Sequence, residues 1–238
     1  MTRWHVQLTG DAFDLEELPG LFAEPEASVS HAEGRFELTS VLFEQLADAD
    51  QVRRRAMELV QHLNGSARLV FGHFKAVSVG AVQEEGPGGR AISVMLEEGL
   101  ELRARASAVV VAQGRAQQPP SPPPPAITNN WVKLALRDGT AARVLRLLGA
   151  PKCSWHDLYK IMEILESHEG NNLLDALGIA ENKISCFAQT ANSMAAIGDE
   201  ARHAKASIPP PATPMDISEA RQLIHRWARE WLTTRGAF

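Results

Sequence analysis

The chain has 238 residues, 45% of them apolar and 22% charged, with a formal net charge of −5. That composition belongs to a folded globular protein of one large or two ordinary domains and argues against a disordered chain. The charge is uneven, with 11 Lys and Arg against 17 Asp and Glu in residues 1–118 and 13 against 12 in residues 119–238; neither half carries the basic stripe that non-specific nucleic-acid binding requires, and no DNA-binding motif is present.

In the first half the pattern is mixed. Trp4 to Leu8 alternates like a strand, and Val29 to Leu38 reads as a hairpin turning near Glu33-Gly34, with Phe36 and Leu38 on one face. Ser40 is a candidate N-cap for a helix over residues 42–63. Leu46, Val52, Ala56, Leu59, Val60 and Leu63 would form its apolar side, and Asn64-Gly65 its stop. Residues 68–84, 90–96 and 100–112 read as three further strands, with Gly86-Pro87-Gly88-Gly89 as a hairpin turn. Short sequential strands with tight turns predict an antiparallel α+β domain over residues 1–116. The acidic groups Asp11, Asp14, Glu16, Glu17 and Glu97, Glu98, Glu101 read as solvated surface. Arg53-Arg54-Arg55 reads as a charged helix face pairing with Asp48, Asp50 or Glu58.

Residues 117–127 hold six of the 14 prolines. Proline lacks an N–H and fixes φ, so this run predicts an extended proline-rich linker between two separable halves. From residue 128 to 238 every pattern is helical. Trp131 to Leu148 is broken at Asp138-Gly139; Ser154 and Asp157 form a capping box ahead of Leu158, Ile161 and Leu165, with Gly170 as the stop. A short helix over 171–177, a longer one over 181–196 and a last one capped by Asp216 complete an all-α helical bundle.

Cys153 and Cys186 are far apart and form no CxxC pair, so two reduced thiols are expected. Cys153-x2-His156 starts like a zinc half-site but lacks a second close pair, and no metal or cofactor is expected. The segment Met1 to Val6 lacks the apolar core of a signal peptide and no apolar run approaches a membrane span, so a cytoplasmic protein with no membrane contact is expected.

The densest polar set follows the helix of residues 181–196: Asn192, Asp199, Arg202 and His203. An Arg beside a His can hold a phosphate and move a proton, as metal-independent RNA cleavage needs. The same residues also admit a structural reading, in which Asp199 pairs with Arg202 to close the loop between two helices. With this set, residues 130–235 resemble the small helical bundles of the HEPN superfamily. The resemblance implies a place among prokaryotic antiviral and toxin systems. In active members it also implies RNA cleavage by an Arg or Asn, then four to six intervening residues, then His, paired across a dimer. Here Arg202 and His203 are adjacent and Asn192 stands further upstream, while Arg55-x6-His62 and Arg68-x4-His73 keep the spacing but precede the helical half.

The function expected is a non-enzymatic protein-interaction or assembly module, an accessory component of a prokaryotic antiviral defence system. The alternative is a HEPN-like ribonuclease acting as a dimer through Arg202, His203 and Asn192. A protein partner or self-association is expected in the first case. Trp227 and Trp231, four residues apart, are then either core or an exposed contact stripe.

Overall fold

The computed structural model describes residues 3–32, 34–86, 89–93, 125–202 and 208–236. The chain begins with strand β1 (Arg3–Thr9) and helix α1 (Ala12–Leu21), followed by β2 (Ala23–Glu24), β3 (Ala27–Ala32) and β4 (Arg35–Thr39). A long helix α2 (Ala49–Phe71) then leads to β5 (Ser78–Gly86) and β6 (Gly89–Ser93). The strands form one antiparallel sheet in the order β2-β3-β4-β1-β5-β6. The fold class is therefore α+β, as expected. Alternation along β1 sends Trp4, Val6 and Leu8 to the buried face, where Val6 pairs with Leu38 and Val82. That face packs on Leu15, Leu18 and Leu21 of α1 and on Val52, Ala56, Leu59 and Leu63 of α2. Full burial of each such side chain stabilises the fold by roughly 1.5–3 kcal/mol.

Several boundaries differ from the sequence reading. Helix α1 was not anticipated; Asp11 caps it, accepting from Phe13 N. Ser40 caps only a single 3-10 turn over Val41–Phe43, and the cap of α2 is Asp48, whose side chain accepts from Gln51 N at 2.8 Å. Nor does α2 stop at Asn64-Gly65. It runs on to Phe71 and ends at Gly72, which takes the left-handed φ of 69°. Strand pairing in the 68–84 stretch begins only at Ser78 because its first residues belong to α2. The strand expected over 100–112 and most of the proline run lie outside the described residues.

Beyond them come α3 (Pro125–Arg137), α4 (Gly139–Leu148), α5 (Trp155–Ala176), α6 (Glu181–Asn192), the short α7 (Met194–Ile197) and α8 (Ile217–Gly236). Asp138 separates α3 from α4 by capping the latter through Thr140 N and Ala141 N. Ser154 and Asp157 make the predicted capping box, and Asp216 accepts from Ser218 N and Glu219 N at the start of α8. Helix α5 passes through Gly170 and absorbs the short helix expected after it. These helices enclose a second apolar cluster that includes Trp131, Leu145, Leu148, Leu165, Phe187, Trp227 and Trp231.

The two halves are packed together. Val132 of α3 belongs to the sheet-side cluster and Leu69 of α2 to the helical one. Helices α2 and α4 approach so closely that a Cβ on Gly65 would lie 2.2 Å from the Leu145 carbonyl oxygen, and one on Gly149 would lie 2.2 Å from that of Gln61. Thr128 Oγ1 donates to the Leu21 carbonyl at 2.7 Å, and Lys133 pairs with Glu24 at 3.0 Å. Two halves that fold separately were expected; the structure shows that they also meet along a packed seam.

Candidate functional site

The predicted polar set at the end of α6 is knit into the backbone around it. Asn192 Nδ2 donates to the Ala188 carbonyl at 2.8 Å, and Arg202 N donates to the Ala191 carbonyl at 2.9 Å. The Arg202 guanidinium lies over the Tyr159 ring, 4.4 Å from its centroid, and pairs with Glu163 Oε1 at 3.0 Å. The carboxylate facing it therefore comes from α5; Asp199, expected as its partner, is exposed. His203 lies outside the described residues. Arg202 thus fastens the loop to α5 and α6, while the Asn192 amide donates back within its own helix.

Trp227 and Trp231 are fully buried in the helical core. Their four-residue spacing puts both rings on the apolar side of α8, and an exposed contact stripe is ruled out for the folded chain. Arg235 stacks over Trp231 at 4.9 Å and pairs with Asp138 at 2.8 Å, tying the end of α8 to the start of α4. No helix among the described residues is long and apolar enough to cross a membrane. Nor do the described residues hold any group of three or more His, Cys, Asp and Glu placed to share a metal ion.

Of the two pairs with HEPN-like spacing in the first half, Arg55, His62 and Arg68 are engaged or buried, whereas His73 is exposed. Arg55 pairs with Glu58 at 2.8 Å, and His62 is buried beneath the seam. Burial, with Arg55 and Arg146 adding positive charge nearby, pushes the His62 pKa down to about 4, so its ring is neutral near pH 7. Arg68 is buried and clasps the end of α4. Its Nη1 donates to the carbonyls of Leu148 and Ala150 and its Nε to that of Phe74. Behind it, His225 of α8 is pushed to about 4 by burial and by the charges of Arg68 and Arg221. Burial also raises the Cys153 pKa, so this thiol stays protonated and is a poor nucleophile. On the far face of the sheet His5 meets Glu37 and Glu85, one at each ring nitrogen and each at 3.0 Å.

Among the described residues a cleft of about 520 Å³ runs along the seam. One wall is the α2 face of Arg53, Met57 and Gln61, the second is residues 76–79 leading into β5, and the third is Arg146, Leu147 and residues 149–151. Asn64 builds its floor, donating from Nδ2 to the Val77 carbonyl and accepting from Val77 N, both at 2.9 Å. This clamp fixes an otherwise irregular segment against α2. Arg53 Nη2 donates to the Gly80 carbonyl at 3.0 Å, whereas Arg146 is exposed and makes no hydrogen bond or ion pair with the described residues. No Asp or Glu stands among the residues lining the cleft, and Met57, 48% exposed, offers it an apolar surface. Such a surface can hold anionic and apolar groups side by side. Sequence reasoning missed it because its walls come from three segments up to about a hundred residues apart; the single local signal was the Arg53-Arg54-Arg55 run, which reads equally well as a solvated face.

No family model matches the chain, no curated protein is significantly similar to it in sequence, and no solved structure is significantly similar to its fold.

Proposed function

We propose that the chain is a non-enzymatic protein-interaction module and that the cleft between α2, β5 and α4 is where it engages a protein. The observation that carries this reading is the cleft's lining: two guanidinium groups, no carboxylate and a half-exposed methionine in a seam fixed by buried hydrogen bonds. Arg and Met are enriched at protein interfaces, and a guanidinium with no partner among the described residues has its donors ready for a carboxylate. The walls stand on packed elements, so little ordering entropy opposes binding.

The ribonuclease alternative has less to support it. It needs Arg202 turned toward a phosphate, and that guanidinium is held by Glu163 and Tyr159. A role as accessory component of a prokaryotic antiviral system, and a cytoplasmic location, remain part of the proposal; the first is carried by the HEPN resemblance of the helical half and the second is supported by the two free cysteines, Cys153 and Cys186.

Affinity purification from the native host tests the reading, comparing the full chain with Arg146→Glu. Arg146 is exposed, so the variant should fold normally. The expected result is a stoichiometric protein partner, or a second copy of the chain, that is lost in the variant. Partners retained at full yield by Arg146→Glu would overturn the docking site. Metal-independent RNA cleavage by the purified wild type would overturn the non-enzymatic reading.

A further inference from the structure

Exposed apolar side chains are few among the described residues, and the most exposed of the large ones is Phe13, at 73%. It stands in the first turn of α1 with Asp11, Asp14, Glu16 and Glu17 around it, an aromatic tip in an acidic setting. Ordinarily Phe in the first turn of an amphipathic helix would face the core. Here Leu15, Leu18 and Leu21 take that side and leave Phe13 to solvent.

The cleft has the opposite character, cationic and apolar with no carboxylate. The two surfaces also adjoin. Lys75 pairs with Asp11 at the head of α1 at 2.7 Å, and Gly10 is so close to Val77, on the cleft wall, that an added Cβ would lie 3.0 Å from its Cγ1. The face they share is therefore complementary to itself. When a projection and its receptor lie side by side on one face, a two-fold axis lets each copy fill the other, giving a closed dimer.

We propose that the chain forms such a two-fold dimer, the Phe13 knob of each copy seated in the Arg53–Arg146 cleft of the other. This rests on the reading of the cleft as a protein-docking site and names its occupant as a second copy of the chain. In the complex the Phe13 ring would lie against Met57, while Glu16 and Glu17 would approach Arg53 and Arg146. Aromatic anchors entering a pocket rimmed by charge pairs carry most of the energy of such contacts.

Sedimentation velocity on the purified full chain tests this. The expected result is a concentration-dependent monomer–dimer equilibrium that weakens as salt rises, because the rim pairs are screened. Phe13→Asp and Arg146→Glu should each raise the dimer Kd by about tenfold or more. Adding Glu16→Arg to Arg146→Glu should restore part of the loss, and Met194→Asp, on an exposed side chain of α7, should change nothing. A wild type that stays monomeric at high micromolar concentration, or a dimer indifferent to both Phe13→Asp and Arg146→Glu, would overturn the proposal. A monomer that still loses a different protein partner on Arg146→Glu would leave the docking reading standing and remove only its occupant.

Discussion

His62 and His225 are buried imidazoles, and His62 Nδ1 and His225 Nε2 have no hydrogen-bond partner among the described residues. Both are pushed to about 4, against an ordinary value of 6.5, with burial as the main cause. Around His62 stand Arg55, Arg146 and Glu58; around His225 stand Arg68, Arg221 and His73. The unfolded chain therefore takes up protons first, and stability is lost as pH falls from 6.5 toward 4, by about 3 kcal/mol for each histidine. Urea denaturation at pH 7 and pH 5 should show this loss, and His62→Leu or His225→Leu should flatten it; equal midpoints for the wild type at the two pH values would contradict it. Trp227→Ala should cost about 3–5 kcal/mol, because the ring is fully buried and its loss leaves a cavity. At this scale helical spacing put Trp227 and Trp231 on one face of α8 but left open whether that face was core or contact surface. Sequence reasoning failed for the partner of Arg202, because Glu163 is supplied by another helix and no local pattern distinguishes it from Asp199.

Among the elements, α2 shows how a correct local rule can give the wrong end. Asn-Gly after an apolar helical stripe is an ordinary stop signal. Gly65 instead sits mid-helix because α4 crosses there, and a side chain would strike the Leu145 carbonyl. Gly65→Ala should therefore destabilise the protein, although Ala is favoured over Gly in a helix interior by about 1 kcal/mol. A thermal melt decides the sign, and a raised midpoint would mean the helices are not in close contact. Strand β1, the capping box of α5 and the Asp216 cap of α8 were legible because each depends on neighbours within a few residues. Helix α1 escaped notice because its exposed Phe13 and internal Pro19 blur the helical stripe.

For the whole molecule, the proline run suggested two independent halves, and the seam argues otherwise. Cut apart, residues 1–116 would expose Leu69 and leave Arg68 without the Leu148 and Ala150 carbonyls, while residues 127–238 would expose the α4 face that α2 covers. Neither fragment alone should show a cooperative melt, whereas the two co-expressed should reassemble. Cooperative unfolding of each fragment by itself would restore the two-domain reading. Composition signals where a chain can be extended; it says nothing about which faces on either side of that stretch meet. The cleft is a product of that meeting, which is why no segment of the sequence announced it.

A photo-crosslinking residue placed at Gln61, inside the cleft, and separately at Glu200, exposed at the end of the 3-10 turn after α7 and not among the cleft's lining residues, gives the most direct measurement of whether the seam is a docking site. Illumination in the native host should give one dominant protein adduct from Gln61, lost when Arg146→Glu is added, and no such adduct from Glu200. Equal labelling from both positions, or none from Gln61, would contradict the cleft as the working surface of this protein.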